Sequence, residues 1–163
     1  MTMEDLIARM QRARSAGEAG RLRLLLEARF LPNQVLQSGA AILVERVVDG
    51  LLTASGAGVR ESWELLSQLA AGASPPTFAD PAVVEATQDA LRDVISAVSA
   101  RVDSPVERAV DFLAVDVLDA VLTFVTGSAR AEAIGAIWRF AARGDRERRR
   151  GRLILEDIGP DES

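Results

Sequence analysis

Residues 40–72 read AAILVERVVDGLLTASGAGVRESWELLSQLAAG. Two helical patterns face each other across the Gly-containing stretch Ala54-Ser55-Gly56-Ala57-Gly58. In the first, Leu43, Val44, Val47, Val48, Leu51 and Leu52 recur at helical spacing; in the second, Val59, Trp63, Leu66, Leu69 and Ala70 do. Neither helix can bury its apolar stripe alone, so the unit is a helical hairpin that needs neighbours. The chain supplies an echo. Val59-Arg60-Glu61-Ser62-Trp63-Glu64-Leu65-Leu66 matches the pattern of Val106-Glu107-Arg108-Ala109-Val110-Asp111-Phe112-Leu113, an offset of 106 − 59 = 47. At the same offset Val47, Val48 and Leu51 meet Val94, Ile95 and Val98. A helix-pair period of that length is the mark of a stacked helical array.

Working outward, helix signals continue in both directions. Thr2 followed by Asp5 is a cap-and-acid start for a helix running to about Ser15. Residues 18–30 form a second pattern, with Leu22, Leu25, Leu26 and Phe30 inward, and Pro32 ends it. Asn33 is read as the cap of the helix that runs through Gly39 to about Ala54, and 59–71 is its hairpin partner. Three prolines within 75–81 forbid regular helix, and the lone Phe78 of this loop is expected to return to the core. Asp80-Pro81 then restarts a helix over 82–102. A helix over 106–126 follows, and Ser128 is read as the cap of a last one over 129–143, with Trp138, like Trp63, on an apolar face. The expectation is an all-α protein of about seven helices. They form either a short array of antiparallel helical hairpins or an irregular helical bundle. Residues 1–145 make the single domain; 146–163 make an Arg-rich and then apolar tail, docked in part as a short strand-like or one-turn cap, with Pro160–Ser163 mobile.

Composition narrows the chemistry. The 163 residues suit one domain, and 48% apolar content suits a packed core, but only 4% are aromatic, so the core must be Leu, Val, Ile and Ala. There is no Cys, His, Tyr or Lys; all 19 cations are Arg. Zinc sites of the usual type, Cys nucleophiles, Ser-His-Asp triads and Schiff-base lysines are thereby excluded. No catalytic activity and no cofactor is expected. No apolar run is long enough to insert in a membrane, and the N-terminus turns acidic at once instead of showing a leader pattern, so a cytoplasmic location is the default reading. Net charge is −5. Arg143 to Arg152 carries six Arg against Asp145 and Glu147, a local +4, which leaves −9 on the remainder. An acidic body argues against nucleic acid as the main partner. The run Arg146–Arg152 could meet an anionic partner, or lie in solvent or against the acidic body.

The helix over 106–126 offers the candidate site. At 100° per residue, Val106, Val110, Leu113, Val117, Val121 and Phe124 form a core stripe. Glu107, Asp111, Asp116 and Asp119 lie on the other side, with Phe112 and Val115 among them. Acids around apolar anchors would suit a basic protein partner, with Glu107, Asp111, Phe112, Val115, Asp116 and Asp119 as the binding residues. The alternative is that this is a buried helix, with Phe112 and Val115 packed on a neighbour. Asp116 and Asp119 share a face but have no third ligand, so a metal is not expected.

Residues 59–72, with their Val-Arg start, Leu65-Leu66 pair and small-residue end before Gly72, resemble the second helix of HEAT-like repeats in proteins of GC-rich bacteria. Several such proteins are encoded beside secreted polymorphic toxins and act as immunity proteins. The resemblance implies a HEAT-like α-solenoid and a non-catalytic protein-binding module, an immunity protein that occludes a basic toxin. The second reading is a self-associating structural, adaptor or secretion-chaperone module, whose exposed apolar face would make a homodimer.

Overall fold

The computed structural model describes residues 1–105 and 107–159. Among them are eight α-helices: α1 Met3–Arg12, α2 Ala16–Phe30, α3 Ala40–Gly50, α4 Gly56–Ala73, α5 Pro81–Asp103, α6 Arg108–Val121, α7 Gly127–Ala141 and α8 Asp145–Ile158. The chain is all-α, as its periodicity predicts.

Local chemistry sets most of the boundaries. Thr2 and Asp5 form a complete capping box at the start of α1. Asp80 accepts from the Ala82 amide and Pro81 opens α5, as the sequence indicates. The expected helix over 33–54 is shorter, because Asn33 (φ 53°) and Gln34 (φ 63°) adopt left-handed backbone and Gly39 (φ 92°) does so just before α3. Asn33 is thus a turn residue and not a cap. Gly56 and Gly58, read as a turn, belong to the first turn of α4, because Ser55 caps that helix through the Gly58 amide. The core-stripe assignment of Val106 and the expectation for Pro160–Ser163 lie outside the described residues.

The helices pack in hairpins: α1 on α2, α3 on α4, α5 on α6 and α7 on α8. The odd helices α1, α3, α5 and α7 touch in succession, and so do α2, α4 and α6. The offset of 47 maps α3 onto α5 and α4 onto α6, which are neighbours within these two rows. The quoted stretch sits in the middle, with α4 packed on α1, α2, α3, α5 and α6. Leu65, Leu66, Leu69 and Ala70 of α4 are wholly buried. Each such leucine contributes roughly 1.5–3 kcal/mol through burial.

One junction brings backbones together. The Ser55 amide donates to the Gln11 carbonyl at 2.7 Å, and the Ser55 hydroxyl donates to the Ala13 carbonyl at 2.8 Å. Gln11 is buried and its Nε2 donates to the Val47 carbonyl at 2.9 Å. A Cβ on Gly58 would stand 2.3 Å from the Gln11 carbonyl oxygen, so only glycine lets α1 and α4 meet here.

The largest departure from expectation is α8. The segment read as a tail from 146 onward is a 14-residue helix beginning at Asp145. Asp145 and Glu147 lie in its first turn, where the helix dipole favours acids. Gly151 interrupts the helical pattern and would cost about 1 kcal/mol on propensity. It is there because a Cβ would lie 2.7 Å from the Ala141 Cβ, so glycine lets α8 cross α7 closely. Ile154 is buried one turn further on.

Candidate functional site

The acidic side of α6 is occupied from within the chain. Asp111 is 1% exposed, and its two carboxylate oxygens accept from Arg101 Nε and Arg143 Nη2, each at 2.7 Å. Arg101 comes from the last turn of α5 and Arg143 follows α7, so this one carboxylate ties three helices together. Phe112 packs edge-on against Phe140, with centroids 5.1 Å apart, and the Arg143 guanidinium lies over the same Phe140 ring. Val115 is fully buried.

Asp116 and Asp119 share Arg150 of α8. Arg150 Nε and Nη2 donate to Asp116 Oδ1 at 3.0 and 2.8 Å, and Nη2 also reaches Asp119 Oδ2 at 2.9 Å. Burial raises the Asp116 carboxyl above its ordinary value; Arg150 offsets part of that rise, while Asp119 and Glu64 add to it. At the other end of the helix pair, Arg108 Nε meets Glu147 Oε1 at 2.9 Å, and Glu147 is 3% exposed.

The acid-and-apolar face expected to receive a basic partner is therefore largely the face on which α8 and Arg143 sit. Of its six residues, Asp111 and Val115 are buried, Phe112, Asp116 and Asp119 are half-buried, and Glu107 alone is exposed. The physical reason is charge complementarity inside the chain: the Arg-rich segment supplies the counter-ions that the α6 acids require. Of the two sequence readings of this helix, the buried one describes its geometry.

Apolar surface is left open elsewhere. A groove of about 510 Å³ is lined mainly by Val48 of α3, Leu51 and Leu52 after it, Val59 and Trp63 of α4, and Ala97 and Ala100 of α5, with Arg101, held by Asp111, also at its wall. Leu52 stands on it 97% exposed. Helical spacing places Glu45 one turn before Val48 on α3, and Asp93 one turn before Ala97 on α5; both are exposed and neither forms an ion pair within the described residues. A second groove, of about 460 Å³, lies on the outer side of the last hairpin, with Trp138, Ala141, Ala142 and Leu155 as floor and Arg148, Arg152 and Glu156 along its rim.

Three apolar assignments change with this surface. Trp138, expected in the core, is 61% exposed, because no helix follows α7 and α8 to cover it within the described residues. Phe78 is 90% exposed and does not return to the core. Leu25 is 54% exposed on the outer side of α2, beside Leu24. Trp63 is buried, as expected.

Among the described residues, no cluster of three or more His, Cys, Asp or Glu is placed to hold a metal, and no helix is long and apolar enough to cross a membrane. Set against models of known protein families, curated proteins and solved structures, the chain matches none.

Proposed function

We propose that the chain is a non-catalytic protein-binding module. The groove between α3, α4 and α5 receives an apolar side chain from a basic partner. The observation that carries this reading is Leu52, almost wholly exposed beside a groove floored by Val48, Leu51, Val59 and Trp63. A leucine in water next to unfilled apolar surface is a binding anchor waiting for its complement. Glu45 and Asp93, which helical spacing sets toward the groove on α3 and α5, supply the steering role expected of the α6 acids. Occlusion of a basic toxin, which the HEAT-like resemblance implies, is one form this binding would take.

The test is a comparative capture from lysate of the chain's own cells. Wild-type protein, Leu52→Asp and the double variant Glu45→Lys with Asp93→Lys are compared by quantitative mass spectrometry, after circular dichroism has shown all three folded. A basic protein retained by wild type and lost from both variants is the expected result. An unchanged set of captured proteins across the three removes the groove from the binding surface.

A further inference from the structure

We propose that the outer face of the α7–α8 hairpin pairs with the same face of a second copy of this chain about a two-fold axis. The proposal is independent of the α3–α4–α5 groove, which lies on other helices.

The first ground is position. The hairpin α7–α8 ends the two rows of helices among the described residues, and α7 is packed on α5. The end of a helical stack stays soluble alone when its outer face is polar. This face carries Trp138 at 61% exposure, with Leu155 in the groove between the helices. It is an end with the composition of an inside.

The second ground is charge. Arg148, Arg152 and Glu156 follow one another at intervals of four along α8, so they form a single row of two positive charges and one negative, about 12 Å long. A two-fold interface must be complementary to itself. Two such rows laid antiparallel, with the two-fold axis between positions 152 and 156, set Glu156 of each copy opposite Arg152 of the other, which satisfies that requirement twice per dimer and leaves Arg148 at the flank. Trp138 of each copy then covers the apolar floor of its partner. Within one chain, Arg148 has only the exposed Asp145 at 3.3 Å, and Arg152 has no ion pair among the described residues.

The third ground is that the alternative pairings are less balanced in charge. The opposite end of the molecule also exposes apolar side chains, Leu24 and Leu25 of α2. Around them the exposed charges of α2 are Arg21 and Arg29, both positive. That face cannot pair with itself without setting arginine against arginine. Pairing it head-to-tail with α8 would set Arg21 and Arg29 against Arg148 and Arg152. Pairing α7–α8 with itself sets two Glu156–Arg152 contacts per dimer, whereas the head-to-tail arrangement offers Glu156 alone against Arg21, Arg29, Arg148 and Arg152.

The experiment is sedimentation velocity of the full chain across micromolar concentrations at low and high salt. Four samples are run: wild type, Arg148→Glu with Arg152→Glu, Glu156→Arg, and an equimolar mixture of the two variants. Circular dichroism first confirms that each is folded. Wild type is expected to dimerise, more weakly at high salt. Each variant alone is expected to be monomeric, since its row carries a single sign. The mixture is expected to recover a dimer, because one chain's acidic row meets the other's basic row. Trp138→Ala is expected to weaken the wild-type dimer by at least tenfold without altering helix content. A wild-type chain that stays monomeric throughout overturns the proposal. So does a dimer that both charge variants retain, or a mixture that remains monomeric.

Discussion

At Gly58, α4 comes so near α1 that a single added carbon would stand 2.3 Å from the Gln11 carbonyl oxygen. At Asp116, α6 meets α8 through an arginine side chain whose donors sit 2.8 and 3.0 Å from the carboxylate. The first junction joins backbone to backbone, with Ser55 donating from both its amide and its hydroxyl to the end of α1. The second joins charge to charge, through Arg150 and through Arg108 with Glu147. Backbone contact at van der Waals distance tolerates no added volume but is indifferent to salt. Ion pairs accept some change of volume but respond to ionic strength, to pH and to loss of either partner. Both halves contain a close glycine crossing, at Gly58 and at Gly151, but ion pairs between helices are concentrated in the C-terminal half, whereas the N-terminal half has the Arg23–Glu61 pair.

The strongest way to press on this contrast is Asp111→Ala. Removal of this carboxylate leaves Arg101 and Arg143 facing each other without a counter-charge between α5 and α7. Breaking a buried pair costs about 3–5 kcal/mol. The two arginine side chains are 16% and 23% exposed, so water relieves part of the penalty and the lower end, about 3 kcal/mol, is expected. Thermal unfolding should show a fall in Tm of roughly 6–12 °C. A loss below about 1 kcal/mol would mean that the C-terminal half does not depend on its charges.

The next effect tests the backbone junction. Gly58→Ala drives a Cβ into the main chain of α1, which cannot move aside as a side-chain tip can, and should cost about 1–3 kcal/mol. Gly56→Ala, two residues earlier in the same helix, meets nothing within 4 Å and should be neutral or stabilising by up to about 1 kcal/mol. Urea unfolding of the two variants side by side gives the comparison. Equal effects would show that the close approach at Gly58 is not what fixes α1.

Arg150→Ala should have a smaller effect, below about 1 kcal/mol, because the side chains involved are 31% and 37% exposed and their pairing competes with water. Its diagnostic feature is salt. Hydrogen exchange of α8 amides in wild type should quicken as NaCl is raised, while α1 amides stay unchanged; in the variant, α8 should already be fast and less salt-dependent.

How far the sequence reveals this molecule follows from the same contrast. The all-α class, the capping box at Thr2 and the Asp80-Pro81 start were legible because each depends on residues within one turn of one another. The offset of 47 in the apolar positions was legible, and the helices it relates, α3 with α5 and α4 with α6, are neighbours in the structure. Helix α8 was not legible, since Gly151 and the arginine run argue locally against a helix, and their explanation is a crossing with Ala141 and counter-ions on α6. The internal pairing of the candidate-site acids was hidden for the same reason. Asp116 and Asp119 were readable as a row of acids, but the arginine that occupies them is 34 and 31 positions away in the chain. Trp138 was read as core, and what periodicity could not tell is that no helix of the described chain covers its side of α7. Leu52 lies just past the end of α3, where helical periodicity no longer applies, and it was drawn into the helix above it.

The smallest expected effect separates two carboxylates by sign. Asp116 has a folded-state pKa raised above 3.8, chiefly by burial. The folded state therefore holds that proton more tightly than the unfolded chain. Stability falls as pH rises from 3.8 to the folded pKa, and above it the cost is constant. Asp5 has a folded-state pKa below 3.8, because the Thr2 amide and hydroxyl bond its ionised form. Its contribution is present above 3.8 and is lost as pH falls through the folded value. Asp116→Asn should thus gain stability relative to wild type as pH rises through the window above 3.8, whereas Asp5→Asn should lose its disadvantage as pH drops below it. Urea midpoints measured from pH 3 to pH 7 give both differences. Because Asp116 is 37% exposed, its slope should be shallow. If both variants track wild type with the same slope, Asp116 is as well solvated in the folded chain as in the unfolded one, and the contact between α6 and α8 is wetter than its distances imply.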